Sequence, residues 1–322
     1  MAKRAALATA CFAIFFCVLL SGCVARGPMM SARSTELEQT PFFPQKRFQC
    51  GPAAMATVLV ASGVSTSAEA LESSLYIPAR RGSLQVEMLA TPRSFTRLAL
   101  PLPRNPVSIV AELEAGRPVL VLHNYGLPFW PRWHYAVVVG YDPVDDVFVL
   151  RSGDKRRQLM RSRRFMIAWH YGGRWAMVVL RPGETAALDD AQSFLEAAAH
   201  FEKVASPADS HATFAAAVRR WPGEPVAYVG RGTAEYRLGN LPAAAHDYAQ
   251  ALQLDSAQAG ARNNLAQTLV DLRCPHRALA MFEGRDLDGL PAPLRDASKE
   301  TLRGAQAAAA VTADAATCES FP

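Results

Sequence analysis

Cys50 is the residue whose neighbours best equip it for chemistry. It stands in Gln45-Lys-Arg-Phe-Gln-Cys50-Gly-Pro-Ala-Ala-Met-Ala-Thr-Val-Leu59, which reads as a loop running into a helix. Pro44 ends whatever precedes it. Gly51 and Pro52 fall at the helix start, where a proline loses no hydrogen bond because first-turn N–H groups have no intrahelical partner. From Ala53 onward come good helix formers, with Met55, Val58 and Leu59 on one face. A sulfur at a helix N-terminus feels a partial positive charge, which stabilises a thiolate and lowers its pKa. Gln45 lies five residues upstream, and its amide can donate to an oxyanion formed beside the sulfur. The competing reading of Cys50 is a small buried hydrophobe at a helix start.

A nucleophilic thiol needs a base, and imidazole titrates near neutral pH. His134 opens the apolar run Trp133-His-Tyr-Ala-Val-Val-Val-Gly-Tyr141, directly after the irregular loop Tyr125-Gly-Leu-Pro-Phe-Trp-Pro-Arg132. A histidine at such a strand start can face a helix N-terminus across a cleft, or it can serve only to close the loop. His123, at the end of Pro118-Val-Leu-Val-Leu-His123, is the rival base.

The elements around these residues come in a definite order. A helix capped by Ser65 or Ser67 should end before Pro78. A third helix should start near Ser83 and carry Leu84, Met88 and Leu89. Val107–Ala115 should be a short helix closed by Gly116. Buried strands then follow at Pro118–His123, His134–Tyr141, Val147–Arg151 after the turn Asp142-Pro-Val-Asp-Asp146, and Trp175–Leu180. Helices first and an antiparallel sheet second is an α+β order.

The segment Gln45-x4-Cys50-Gly-Pro-Ala-Ala54, taken with Trp133-His134-Tyr135-Ala-Val-Val-Val-Gly-Tyr-Asp142, resembles the papain-like bacteriocin-processing cysteine peptidases, the double-glycine leader peptidase family. The resemblance covers about residues 41–180. It implies a papain-like fold over 41–185, with Cys50 as nucleophile, His134 as general base and Gln45 in the oxyanion hole. It implies a peptide or protein substrate. The family places an Asp at the end of the strand after the His strand. Here that position falls at Ser152, in Leu150-Arg-Ser-Gly-Asp154. Serine can accept an imidazole N–H and fix its tautomer, but it cannot stabilise an imidazolium as a carboxylate does. Asp154, two residues on, is the other candidate. Asp142 belongs to the turn at the far end of the His strand. The departure at Ser152 leaves a second reading open, a peptidase-like scaffold that binds protein without turnover.

Residues 1–23 read as a leader outside the fold. Lys3 and Arg4 form a positive start, and an apolar run follows to Leu20. Leu20-Ser-Gly-Cys23 resembles the bacterial lipobox, whose cysteine is acylated and becomes the mature N-terminus. More than one acyl chain on Cys23 would give a stable membrane anchor. The absence of Asp after Cys23 favours, by analogy with enterobacterial sorting, an outer-membrane lipoprotein facing the periplasm. Residues 24–40 read as a tether without periodicity.

From about residue 188 the composition turns to Ala-rich helix, and the segment repeats at positions 191, 225 and 259, a period of 34 residues. In register across the units stand Phe194, Tyr228 and Arg262; Ala198, Gly232 and Ala266; and Phe214, Tyr248 and Phe282. This resembles the tetratricopeptide repeat, two antiparallel helices per unit. It implies an all-α domain of three units over 188–292, a C-terminal helix and tail over 293–322, and a concave groove that binds a protein partner. Cys274 and Cys318 can pair in an oxidising periplasm or stay free.

Composition narrows the rest. Half the residues are hydrophobic and 20% are charged, so the chain is globular. The net charge of +5 falls to +3 once Lys3 and Arg4 leave with the leader, too mild for a nucleic-acid partner. The densest basic cluster, Lys155-Arg-Arg157 with Arg161, Arg163 and Arg164, reads as a solvated face. No Cys-x2-Cys or His-Glu-x-x-His spacing calls for a metal, and no Gly-rich loop calls for a nucleotide cofactor.

Overall fold

The computed structural model describes residues 30–46, 48–311 and 318. The lipobox reading of Cys23 therefore lies outside the described residues. Among those described, no helix is long and apolar enough to cross a membrane.

Among the described residues seven strands form one sheet: β1 (Thr35–Glu36), β2 (Leu98–Pro101), β3 (Val119–Asn124), β4 (Trp133–Asp142), β5 (Val147–Ser152), β6 (Lys155–Arg161) and β7 (Ala176–Leu180). Their order is β2-β7-β3-β4-β5-β6, with every pair antiparallel. Both faces are covered, so the inner strands are apolar almost throughout rather than alternating. On one face Leu120, Leu122, Tyr135, Val137, Val139 and Val149 pack against helix Cys50–Ala61. On the other, Val119, Val121, Ala136, Val138, Phe148 and Leu150 pack against helices Pro106–Glu114 and Ser162–Tyr171. Helix Cys50–Ala61 is buried along Gly51–Leu59 and not on one face only. Its small, apolar composition all round is what a helix inside the fold requires.

Several local expectations change. The helix expected after Ser65 shrinks to Glu72–Leu75, behind a turn in which the Ser67 hydroxyl accepts from the Ala70 N–H. Strands β2 and β6 and helix Ser162–Tyr171 were not visible in the pattern. In β6, Met160 is the one fully buried residue, so no alternation announces a strand. The basic residues of β6 lie exposed along a sheet edge, where charge discourages pairing with another chain. The tether reading of 24–40 is corrected over its described second half. Thr35 and Glu36 pair with Tyr141 and Gly140 at the end of β4 that β3 does not reach. A side chain at Gly140 would put its Cβ 2.7 Å from the Thr35 carbonyl oxygen, so only glycine admits this strand. The Arg151 guanidinium donates to the carbonyls of Glu38 and Thr40, and Arg157 forms a paired ion bridge with Glu36. Two residues of edge strand are too few for any period to show.

Helix pairs follow the sheet: Ala191–Glu202 with Pro207–Arg220, Pro225–Arg237 with Leu241–Leu254, and Ala259–Asp271 with Pro275–Ala280. Helix Ala292–Ala309 packs on the last pair. The aromatic positions in register, Phe214, Tyr248 and Phe282, are buried between helices. Cys274 and Cys318 are joined by a disulfide, which ties the chain end to the last unit. Closing a loop of 44 residues removes unfolded-state entropy worth about 4 kcal/mol.

The first repeat helix is not a separate body. Phe194, Leu195, Ala198 and Phe201 lie in one core with Leu98, Leu100 and Leu180 of the sheet. The connection between them is pinned as well. The buried Glu112 carboxylate pairs with Arg117 at 2.6 Å and accepts from the Ala187 N–H, and Arg220 pairs with Asp189 at 2.9 Å. Phe194→Ala should therefore destabilise the sheet and the first repeat together, by about 3–5 kcal/mol. Thermal unfolding followed by sheet and helix signals should show both shifting down in concert; a shift confined to the helical signal would contradict a shared core.

Candidate active site

Helix Cys50–Ala61 lies on one face of the sheet with its N-terminus beside β4, close to where β4 and β5 part. Their pairing ends at Val137 and Arg151, and a register shift on the β5–β6 side bends the chain between Leu150 and Ser152. The backbone of Tyr135 is thereby left facing the opening. The Gln45 amide donates to the Tyr135 carbonyl at 3.5 Å, and the Gln45 N–H donates to the Gly153 carbonyl at 3.1 Å. The backbone of Tyr135 and the N–H groups of Cys50 and Gly51 at the helix start lie near enough to the Cys50 sulfur to favour its thiolate. Gly51 is required here by close approach. A Cβ on it would sit 2.1 Å from the Ser83 hydroxyl oxygen, in the segment that roofs the helix N-terminus.

His134 lies next to Tyr135 on β4, and its Nε2 is 2.8 Å from the Ser152 hydroxyl oxygen. Ser152 is buried at the last position of β5. Asp154, the other sequence candidate, is exposed in the β5–β6 turn, and no hydrogen bond takes it to the ring. That alternative is corrected: Gly153 at φ +64° turns the chain away immediately after Ser152, so Asp154 points outward. Asp142 serves its own turn, accepting from the Val144 N–H at 2.8 Å. His123 is not a base for the thiol. It is wholly buried, its Nδ1 is 2.9 Å from the Tyr125 hydroxyl, and its ring meets Phe165 edge-on at 4.9 Å between centroids.

Tyr125 is a site residue that the sequence reading passed over. Its ring lies 5.4 Å from that of His134, and the Ser152 hydroxyl is near enough to its own to act on it. The loop that carries it is held at both ends by one side chain. The buried Asn124 carbonyl oxygen accepts from the N–H groups of Gly126 and Arg132, each at 2.8 Å. A tyrosine just past a strand has no periodic signature. Only the register that sets His123 opposite His134 brings it here.

The electrostatics differ from the expectation at Cys50. Burial pushes the thiol above its ordinary pKa, and the backbone hydrogen bonds from Tyr135, Gly51 and Cys50 offset only part of this. The thiolate predicted from the helix N-terminus alone is thus not the resting form. Burial also takes His134 down to about 4 and His123 to about 3, the latter helped by its neighbour His134. Both imidazoles and the thiol rest uncharged at neutral pH. No hydrogen bond joins the sulfur to the His134 ring at rest, and catalytic contacts of this kind commonly tighten only when substrate is bound. Among the described residues no group of three His, Cys, Asp or Glu side chains is placed to hold a metal.

No family model matches the sequence, and no curated protein does. Solved structures are similar to separate parts of it. A C39-like peptidase from Bacillus anthracis is 16% identical, covered over 98% of its length by 46% of this chain, with a TM-score of 0.39. The peptidase domain of Streptococcus ComA, an ABC transporter of a quorum-sensing pathway, is 18% identical over 99% of its length and 44% of this chain, at 0.36. The TPR2B domain of yeast Sti1, solved with an Hsp70 peptide, is 17% identical over 96% of its length and 36% of this chain, at 0.31. Likenesses this distant say nothing of activity.

The depressed histidines set a sign for stability against pH. Their native pKa values lie below the unfolded value of about 6.5, so on acidification the unfolded chain takes up protons that the native chain refuses. Stability is full above about pH 6.5 and is lost as pH falls towards about 4 and 3. The melting temperature should drop between pH 6.5 and 5, before most carboxylates titrate. His123→Phe, which keeps the ring volume, should flatten that drop; an unchanged slope would mean that His123 is not buried neutral.

Proposed function

We propose that this chain is a thiol peptidase. The observation that carries the reading is the convergence of Gln45 and Cys50 on the backbone of Tyr135, next to a His134 whose far nitrogen is held by Ser152. The uncharged thiol and imidazole suit general-base attack. As the Cys50 sulfur bonds to a peptide carbonyl carbon, its proton passes to His134 Nδ1, and the carbonyl electrons move to oxygen. That oxyanion is met by the Cys50 N–H, which has no intrahelical partner, and by the second hydrogen of the Gln45 amide. Collapse of the intermediate breaks the C–N bond, and the imidazolium gives its proton to the leaving amine. Water, activated by His134, then releases the acyl group and the free thiol. In this cycle the imidazolium exists only briefly, which reduces the need for a carboxylate at position 152.

Leu127, Phe129 and Trp130 stand exposed in the loop that leads into β4, and Trp133 stands exposed at its first residue. They offer contact area to apolar side chains of a peptide. The helical repeats give a surface for recruiting a protein. Cys23 as a lipid-bearing mature N-terminus would hold the enzyme at the outer membrane, facing the periplasm.

A thiol-directed activity probe tests the reading. The wild type should label, Cys50→Ala should not, and His134→Ala should label far more slowly. Ser152→Ala should cost roughly tenfold or less in turnover, the scale of one neutral hydrogen bond at ~0.5–1.5 kcal/mol. A folded wild type that does not label would instead favour a binding scaffold. Separately, Cys23→Ser should release the protein from the membrane fraction or block its processing. Unaltered processing and membrane association would refute the anchor.

A further inference from the structure

A hydroxyl is an ambiguous partner for a catalytic imidazole. Ser152 can accept a hydrogen from His134 Nε2 or donate one to it. If it donates, the ring hydrogen sits on Nδ1 and the base is blocked towards the thiol. A carboxylate has no such freedom, so a site that uses serine needs something to fix the direction.

That something is visible behind Ser152. Its hydroxyl lies next to that of Tyr125, which packs 5.4 Å from the His134 ring and reaches Nδ1 of the buried His123 at 2.9 Å. The row His134–Ser152–Tyr125–His123 has two consistent directions, one for each tautomer of His134. Phenol is the more acidic donor and imidazole nitrogen the more basic acceptor, so the strong sense of the last bond is from Tyr125 O–H to His123 Nδ1. The Tyr125 oxygen then accepts from Ser152, and Ser152 must accept from His134 Nε2–H. Burial keeps His123 uncharged, so one of its nitrogens stays an acceptor through the neutral range, and Nδ1 is the one that meets the Tyr125 O–H. Its Nε2 has no hydrogen-bond partner among the described residues, so within them the row ends there. The charged group that acts on the row from outside is Arg164, on helix Ser162–Tyr171, through Tyr125.

We propose that Tyr125 and His123 are positioning residues that act through Ser152 to hold the hydrogen of His134 on Nε2, leaving Nδ1 free for the Cys50 proton. The use of that free nitrogen rests on the peptidase reading; the tautomer itself does not. Nitrogen-15 shifts of the histidines in the labelled full chain read the tautomer directly. At neutral pH the wild type should show His134 with hydrogen on Nε2 alone, and Tyr125→Phe should show a mixture. Cys50 alkylation by iodoacetamide supplies a second readout. Tyr125→Phe should slow it roughly tenfold and change its pH profile, and adding Ser152→Asp should restore the rate, because a carboxylate only accepts. His134 with hydrogen on Nδ1 in the wild type, or an unchanged tautomer in a folded Tyr125→Phe, overturns the proposal. A folded wild type that a substrate-like acyl probe does not label at Cys50 sinks the peptidase reading instead, while the shifts still decide the tautomer.

Discussion

The constraint on which the rest depends is that a helix packed on one face of the sheet must bring its N-terminus to the end of a strand. A helix start carries N–H groups without intrahelical partners, and a sheet end carries strand backbone without a neighbour. At the seam between β4 and β5 these needs meet. Tyr135 presents its backbone, Gln45 and the Cys50 sulfur occupy the space, and Gly51 lets the Ser83 segment close over the top. The register of β4 against β3 and β5 follows from apolar residues that must fall on two buried faces, and a one-residue slip would exchange them. The place of His134 is therefore fixed by the core, and the chemistry inherits its position from packing.

Burial then sets the charge state. Burial raises the Cys50 thiol and lowers the His134 imidazole, so both rest neutral. A carboxylate buried beside them would introduce a charge with no fixed counter-ion, at a cost that serine avoids. The replacement leaves a hydrogen whose direction must be specified. The polar row running inward through Tyr125 to His123 is where the fold can specify it. It lies under Phe165, whose helix shields it from solvent on the second face of the sheet.

The repeats are an extension of this second face. Helix Ala191–Glu202 completes the core that Leu98, Leu100 and Leu180 begin, and later helices stack outward from it. Each unit buries what the preceding one leaves exposed, as repeat arrays do. The disulfide of Cys274 and Cys318 fastens Cys318 to the third pair of helices.

Much of this was legible in the residues themselves. The apolar strands, the helix pairs at 191, 225 and 259 and the helix start at Cys50 all announce themselves through period, breaker residues or motif. These signals are local, and local signals are what a sequence states directly. What the sequence left open was decided by contacts between distant segments. Ser152 rather than Asp154 meets the imidazole because the turn at Gly153 sends the latter outward. Residues 35 and 36 become a strand because Gly140 admits them. The thiol rests protonated because desolvation, a property of everything packed around it, outweighs the helix end that is written in the motif. Tyr125 and His123 join the site because strand register is a property of the whole sheet, and no residue carries it alone.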